Sequence, residues 1–367
     1  MLLVTYFVLK LLIIVSIIDC VLCFKNDSNF EVKLVNVIFR HGDRTPEWVY
    51  PNLKGINQSY YPVKLAAMTN KGKLRSYKFG ELLRLMYNEF LGTTYIEDEI
   101  YARSTNFERT KMTLQLVLAG LYPPNELQKW KNNLNWQPIP INYVPEGQDI
   151  LLNRVYICNS SKEEHNKVLQ LPEVKKKLKS YENLTQNLTQ LTGINITTTR
   201  DIFTLYCDLI CLKFMDFELP SWVNEYLDNS QFLEAALTRL EILNYNKRLQ
   251  RINSGPLVQK IMKDMSDAVN NKKKEKIFLY SSHDINIYGL LAALNLVEPH
   301  APEFSSAVII ELLQLNNNYF VKILHYLGVP HEIRELQIPN CTSPCPLDNF
   351  LYSILDIFPS DDEINCL

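Results

Sequence analysis

The chain has 367 residues, of which 47% are hydrophobic, and a formal net charge of −2. A chain of this length can bury a large hydrophobic core, either in one large domain or in two smaller ones. The near-zero charge and an isoelectric point of about 6.3 exclude a global basic surface for nucleic acid or for an anionic membrane.

The first segment has the pattern of a targeting sequence. Residues 2–18 are nearly all apolar and contain a single lysine, Lys10. We predict a signal peptide at residues 1–23, cleaved after Cys23 or, alternatively, after Cys20. An uncleaved membrane anchor is disfavoured because this run is at the short limit of the roughly 17–25 residues that span a bilayer. We therefore expect a secreted product that leaves the membrane after cleavage.

Asparagine-linked glycosylation sites agree with secretion, because such sites are modified in secreted chains. Seven Asn-X-Ser/Thr sites occur, at Asn26, Asn57, Asn159, Asn183, Asn187, Asn195 and Asn340. We predict a glycoprotein from this number of sites.

Six cysteines follow the predicted signal peptide, an even number that is typical of a disulfide-bonded secreted chain. We expect Cys341 to pair with Cys345 across a Thr-Ser-Pro turn, Cys207 with Cys211, and Cys158 with Cys366. The i,i+4 spacing of the second pair makes a tight bridge. Six cysteines allow 15 pairings, so the connectivity stays open. The cysteines are not arranged in the paired Cys-X-X-Cys units that are typical of a metal site.

The first third of the chain alternates strands and helices. Residues 31–39 are a buried strand candidate, residues 70–91 a long amphipathic helix, and residues 97–102 a second strand. Thr105 is expected to cap a helix that runs to about Leu121, before two consecutive prolines.

The last third continues this alternation. Residues 277–280 are a strongly apolar strand, and residues 305–315 and 319–327 flank three asparagines and predict a hairpin. Strands separated by long helices indicate an α/β three-layer sandwich with a central mixed, mostly parallel sheet and an antiparallel edge.

The middle of the chain has a helical pattern. Helix-like stripes cover residues 162–179, 201–216 and 225–246. We predict a helical cap insertion at residues 132–253, carried by an α/β domain made of residues 24–131 and 254–367.

Residues 40–46, Arg-His-Gly-Asp-Arg-Thr-Pro, carry the strongest chemical signal. Arg40 and Arg44 can hold a dianion through planar, multi-donor hydrogen bonds. His41 lies between them, where a neutral ring nitrogen can attack the phosphorus of that anion. Gly42 allows the backbone to come close to a ligand, and Pro46 stiffens the exit from the turn. No glycine-rich nucleotide loop is present.

Two further strand ends carry polar residues. Arg103 directly follows the second predicted strand, and His283 and Asp284 follow the third. Ligands of open α/β sheets bind beyond the carboxyl ends of strands, so we expect one anion site there.

The residue types of this site suit phosphate monoester hydrolysis. Arg40, Arg44 and Arg103 supply fixed cations, which disfavour a protonated His41. His283 can donate to a phosphate oxygen. Asp284 can protonate the leaving alcohol when it is uncharged, which predicts an acidic pH optimum.

These motifs resemble the histidine acid phosphatases, in the branch of the prostatic, lysosomal and insect secreted or venom enzymes. The matching segments are residues 40–46, 69–72, 103–105, 108–110 and 282–284, in the family's order within residues 32–350. Asn106 and Ile285-Asn286 depart from the residues that are common in the family.

The resemblance implies a histidine-phosphatase fold of the phosphoglycerate-mutase type. It implies His41 as the phosphorylated nucleophile and Asp284 as the proton donor. It also implies a set of phosphate ligands, namely Arg40, Arg44, Arg103 and His283. Small phosphomonoesters are the implied substrates, with no metal and no organic cofactor. Family members often form homodimers, but no feature of this sequence decides that point.

Two other functions stay open. A phytase-like inositol-phosphate hydrolase normally has extra Lys and Arg around its pocket, and the charge of this chain argues mildly against it. A non-catalytic, secreted anion-binding protein of venom or saliva is the other alternative. The presence of both His41 and Asp284 argues against a lost activity.

Overall fold

The structure is a computed structural model that describes residues 29–53, 60, 62–329 and 331–364. The predicted signal peptide, the glycosylation sites at Asn26 and Asn57, and Cys366 lie outside these residues.

Within the described residues, eight strands form one mixed sheet in the order β3-β2-β4-β1-β5-β6-β7, and β8 pairs with β6. The strands are β1 (Glu31–Arg40), β2 (Ile100–Ser104), β3 (Asn142–Tyr143), β4 (Ile277–Ser282), β5 (Ala307–Leu315), β6 (Asn318–Tyr326), β7 (Ile333–Leu336) and β8 (Cys345–Pro346).

The sheet has a parallel and an antiparallel half. Strand β4 lies parallel between β1 and β2, and β2 also pairs parallel with β3. On the other side of β1, strands β5, β6 and β7 pair antiparallel in sequence. The α/β fold with a mixed sheet is confirmed. The antiparallel part is wider than the predicted edge, because the predicted hairpin is extended by β7 and β8.

The helices in the described residues flank this sheet. They are α1 (Asn70–Leu91), α2 (Glu108–Leu121), α3 (Arg154–Ile157), α4 (Asn159–Gln170), α5 (Pro172–Lys179), α6 (Glu182–Thr192), α7 (Thr199–Phe214), α8 (Ser221–Leu227), α9 (Ser230–Leu243), α10 (Lys247–Val269), α11 (Asp284–Ala293), α12 (Leu347–Ile354) and α13 (Asp361–Ile364).

Strand β1 is mostly apolar from Leu34 to Phe39, because both of its faces are buried over that stretch. Leu34 and Ile38 pack in the core beneath α10 and α11. Val35, Val37 and Phe39 point to the opposite face and pack against α1 and α2. Alternating side chains of one strand therefore serve two cores, which is the pattern expected of a central strand in a three-layer sandwich.

Four local predictions differ from the structure. The helix predicted at 225–246 is divided between α8 and α9, because the side chain of Asn229 caps the start of α9. The second strand begins at Ile100, after a short 3-10 turn at Glu97–Glu99. Helix α2 begins at Glu108 without a side-chain cap, so Thr105 is not its cap. The predicted helix at 162–179 is split into α4 and α5, because Pro172 has no N–H to continue the first helix and is well suited to begin the next.

Helices α3 to α9 lie in the range predicted as a cap insertion. Side chains of α7 and α9 form a core with Ile285 and Tyr288 of α11, which follows strand β4. Helix α10 crosses the predicted boundary at residue 253. The division into a domain and a cap stays a prediction.

The cysteines are paired differently from the prediction. Cys341 and Cys345 form a disulfide, as expected. Cys207 and Cys211 are free and buried, so their predicted disulfide is wrong. Side chains four residues apart on a helix have Cβ atoms about 5–6 Å apart, whereas a disulfide requires roughly 3.5–4.5 Å. Cys158 is disulfide-bonded, and its pairing with Cys366 stays a prediction.

Candidate active site

The carboxyl ends of β1, β4 and β2 meet at one edge of the sheet. Arg40 lies opposite Ser282 in the parallel register. The His41 N–H donates to the Ser282 carbonyl at 3.0 Å, and the Thr105 N–H donates to the Ser281 carbonyl at 3.1 Å. These bonds continue the sheet for one residue beyond the strands. The three motifs that are distant in sequence are thereby brought together.

His41 is buried, with 2% of its surface exposed. Its Nδ1 lies 2.9 Å from the carbonyl oxygen of Gly42. A carbonyl oxygen only accepts, so Nδ1 carries the ring proton and Nε2 keeps its lone pair. This tautomer is the one that a nucleophilic Nε2 requires.

Gly42 allows the loop after β1 to lie directly against helix α1. A Cβ atom on Gly42 would lie 2.5 Å from both the Gly72 carbonyl oxygen and the Ser76 Oγ. The Gly42 N–H donates to Thr113 Oγ1 of α2 at 3.0 Å. Any side chain here would push the loop, and His41 with it, away from helix α1.

The environment keeps His41 and His283 neutral. Burial lowers the pKa of His41 well below its ordinary value of 6.5, and the positive charges of Arg109 and Arg40 lower it further. Burial and the same two arginines lower the pKa of His283 in the same way. Both histidines therefore stay unprotonated into acidic pH.

Arg40 is held by a carbonyl oxygen, a carboxylate and an aromatic ring. Its Nη1 donates to the Pro302 carbonyl at 2.6 Å, and its Nη2 lies 2.9 Å from Asp284 Oδ2. Its guanidinium lies over the Phe304 ring at 4.2 Å. A cation fixed in this way needs no reorganisation when an anion binds.

Arg44 is held by a carboxylate of helix α7. Its Nη1 donates to Asp208 Oδ1 of α7 at 2.8 Å. Asp208 is fully buried and also accepts from the backbone N–H groups of Glu47 and Trp48 and from the Tyr50 hydroxyl. Asp208 therefore positions both Arg44 and the loop that follows it.

His283 and Asp284 lie where β4 passes into α11. His283 Nε2 is 3.0 Å from Thr105 Oγ1, and the His283 N–H donates to Asn286 Oδ1. Asn286, which departs from the family pattern, thus caps this helix. Asp284 Oδ1 accepts the Ile285 N–H, and its side chain is 15% exposed. The carboxyl group is therefore open to a leaving group.

Arg103 is placed differently from the prediction. Its Nη2 lies 2.5 Å from Oδ1 of the buried Asp149. Asp149 Oδ1 also accepts the N–H groups of Leu151 and Leu152, so the pair fastens the following loop to β2. We therefore correct the assignment of Arg103 from phosphate ligand to structural ion pair.

Arg109, in the first turn of α2, is the arginine that reaches the two histidines. It is the first of the charges that lower the pKa of His41 and of His283. Its Nη2 lies 3.5 Å from Glu47 Oε1, and its side chain is 14% exposed. We assign Arg109 as the third cation of the site.

Sequence reasoning missed Arg109 and Asp208 as site residues, although each left a signal. Arg109 follows a strand end by five residues, at the start of a helix that points toward the site. Asp208 is a charged residue among apolar neighbours on a buried helix. Such a residue is almost never buried without a partner.

Comparison with known proteins agrees with this geometry. The Histidine phosphatase superfamily (branch 2) profile matches residues 31–326. Venom acid phosphatase Acph-1 of Apis mellifera is 40% identical over 344 residues, which cover 92% of this chain and 88% of the relative. Prostatic acid phosphatase of Rattus norvegicus is 33% identical over 341 residues, covering 92% and 89%.

A solved phytase from Citrobacter braakii has the same fold. It superimposes with a TM-score of 0.69 at 17% identity and covers 91% of this chain and 99% of its own. At this identity the likeness concerns the fold alone. With the matched profile and the relatives above, the chain belongs to the histidine phosphatase superfamily, branch 2.

Proposed function

We propose that the protein is a secreted acid phosphatase that hydrolyses phosphate monoesters through a phosphohistidine intermediate. One observation carries this proposal. The Gly42 carbonyl accepts the Nδ1 proton of His41, which leaves Nε2 as a free nucleophile beside Arg40 and Arg44. The names of the relatives, acid phosphatases of venom and prostate, support the same activity.

The first step transfers the phosphoryl group to the enzyme. Arg40, Arg44, Arg109 and His283 hold the phosphate oxygens and neutralise their charge. Nε2 of His41 attacks phosphorus, and the bond from phosphorus to the leaving oxygen breaks. Protonated Asp284 gives its proton to that oxygen, so the product leaves as an alcohol.

The second step returns the enzyme to its starting state. Water attacks the phosphorus of phosphohistidine while the Asp284 carboxylate takes a proton from that water. The phosphorus–nitrogen bond breaks, its electrons return to Nε2, and inorganic phosphate leaves. His41 is neutral at the start and at the end, and Asp284 is protonated at both points.

The electrostatics of the site suit acidic pH. An ordinary histidine is largely protonated below its pKa near 6.5 and is then not a nucleophile. Burial and the site arginines lower the pKa of His41, so it stays unprotonated there. His41 therefore remains available as a neutral nucleophile in acid.

Whether inositol phosphates are substrates, as the phytase-like alternative holds, stays open. A phytase shares the fold at 17% identity, which does not carry its substrate over to this chain. The second alternative is a non-catalytic anion-binding protein. It does not explain why Nε2 of His41 is left free at a position next to three arginines.

We further propose secretion and glycosylation. Asn159, Asn183, Asn187, Asn195 and Asn340 are all exposed, as glycan attachment requires. In the described part of the chain, no helix is long and apolar enough to cross a bilayer. Venom origin and a homodimer remain suggestions from the relative named above and from the family resemblance.

Hydrolysis of p-nitrophenyl phosphate across acidic to alkaline pH tests the proposal. The secreted wild type is compared with His41→Ala without added metal and with a chelator present. We expect chelator-resistant activity with an acidic optimum, lost in His41→Ala. A folded wild type without activity would support the anion-binding alternative, and activity that survives His41→Ala would assign another nucleophile.

A further inference from the structure

Glu47 lies against two of the site arginines. Its Oε1 is 3.4 Å from Arg44 Nη2 and 3.5 Å from Arg109 Nη2. The Glu47 N–H donates to both carboxylate oxygens of Asp208 at 2.9 Å, which fixes the backbone that carries this side chain. The Glu47 carboxylate is therefore held in place at the edge of the anion site.

Exposure shows on which side of the site Glu47 lies. His41 is 2% exposed, whereas the side chains of Arg109 and Asp284 are 14% and 15% exposed and that of Glu47 is 34% exposed. A phosphate held at His41 thus has its leaving group on the side of Asp284 and Glu47. The inner side is closed by buried residues.

We propose that Glu47 determines specificity by disfavouring leaving groups that carry a second phosphate. This inference deepens the proposed function and rests on it. The favoured substrates are monoesters with a neutral or cationic leaving group.

This preference has an electrostatic origin. The three arginines compensate the charge of the phosphate that reacts. A second phosphate on the leaving group lies outside this cluster, on the open side, where it meets the negative charge of Glu47. Two like charges at contact distance near a surface repel substantially. A cationic leaving group is attracted by the same carboxylate.

Asp284 also interacts with a further cation. Arg239 of α9 is among the charges that interact with Asp284, so the charges that act on this side of the site are not all negative. A variant of Glu47 alone leaves Arg239 unchanged, and the comparison with wild type isolates the carboxylate.

The test compares Glu47→Gln with wild type on three substrates. They are p-nitrophenyl phosphate, inositol hexakisphosphate and phosphoethanolamine. Glutamine has nearly the same size as glutamate. The substitution also keeps the hydrogen bonds from the backbone N–H at this position to Asp208. We expect the ratio of kcat/KM for inositol hexakisphosphate to that for p-nitrophenyl phosphate to rise about five- to tenfold in the variant. The corresponding ratio for phosphoethanolamine should fall.

Glu108→Gln is the matched control, because Glu108 lies beside Arg109 in sequence but its side chain is 82% exposed. The substitution removes the same charge from a side chain whose ion pair is with Lys111, and it should leave both ratios unchanged. Equal effects of the two variants, or unchanged ratios in Glu47→Gln, would overturn the inference while p-nitrophenyl phosphate activity still upholds the proposed function. A wild type inactive on all three substrates would remove both.

Discussion

Each half of the sheet buries a histidine near the same edge, and the two histidines have different surroundings. His41 follows β1 beside the parallel strands, and His325 lies in β6 of the antiparallel half. Burial is similar, at 2% and 5% exposure. Burial also lowers both pKa values, that of His325 to about 4. Burial alone therefore produces a neutral imidazole but not a site.

The neighbours make the difference. Beside His41, the parallel strands end together. Arg40 at the end of β1 therefore lies near Thr105 and His283, which directly follow the other two strands. His325 is paired in register with Arg334 of β7 and packs against the His300 ring at 5.0 Å. An antiparallel hairpin continues over its strand end and covers it, whereas parallel strands leave their ends open to ligands.

The largest expected effect separates these two histidines. His41→Ala should lower kcat/KM for p-nitrophenyl phosphate at least about a thousandfold, because the nucleophile is lost. His325→Ala is the control: the folded variant should keep activity within about threefold of wild type while the cavity lowers its unfolding free energy by about 1–3 kcal/mol. Steady-state kinetics and urea unfolding measure both. A comparable loss of activity in the two variants would contradict the comparison.

Substitutions of Arg109 and Arg103 are expected to impair different properties, activity for Arg109 and stability for Arg103. Arg109→Gln should lower kcat/KM about a thousandfold, because a cation facing the phosphate is removed. Arg103→Gln should instead lower the unfolding free energy by about 3 kcal/mol, because the buried Asp149 loses its ion pair. Kinetics on folded protein and denaturant titration distinguish them. If Arg103→Gln has the larger kinetic defect, the original assignment of Arg103 holds.

Asp284 is expected to act on the leaving group. Asp284→Asn should lower kcat about a hundred- to a thousandfold on alkyl phosphates, because the alkoxide then leaves without a proton. The loss should be several-fold smaller for p-nitrophenyl phosphate, whose phenolate leaves readily. A series of aryl and alkyl phosphates with graded leaving-group acidity measures this slope. An equal loss across the series would argue that Asp284 only orients Arg40.

The smallest effect concerns stability and pH. An unfolded His325 binds a proton below about pH 6.5, whereas the folded one does so only near pH 4, so acidification favours the unfolded state. Through this histidine, acidification from pH 6.5 to pH 4 should lower the unfolding free energy of the wild type by about 3 kcal/mol. His325→Leu should lack that part of the acid dependence. Urea unfolding at several pH values measures it, and parallel pH curves for the two proteins would contradict it.

Local motifs are readable from the sequence, and tertiary partners are not. The strand ends at Arg40 and Ser282 are predictable because apolar runs stop there at polar residues within one stretch of chain. Arg103 lies near the end of the second strand and Arg109 lies shortly after it, and sequence does not say which one turns toward His41. That choice depends on Asp149, which lies 46 residues beyond Arg103 and neutralises it.

The same limit explains the other errors. Cys207 and Cys211 share a helical face, as predicted, but their pattern does not give the Cβ separation that a disulfide needs. Asp208 looks like an interruption of an apolar face until Arg44 and the loop after it are placed around it. The extent of the antiparallel half depends on β7, a strand of only four residues with an exposed pattern.

Rapid quenching tests the central claim most directly. Wild-type protein is mixed with phosphate-labelled substrate in acid, quenched in alkali, where phosphohistidine is stable, and digested for peptide mapping. The account predicts label on the peptide that contains His41, formed within one turnover and absent from His41→Ala. Label on another residue, or turnover without any labelled peptide, would contradict it.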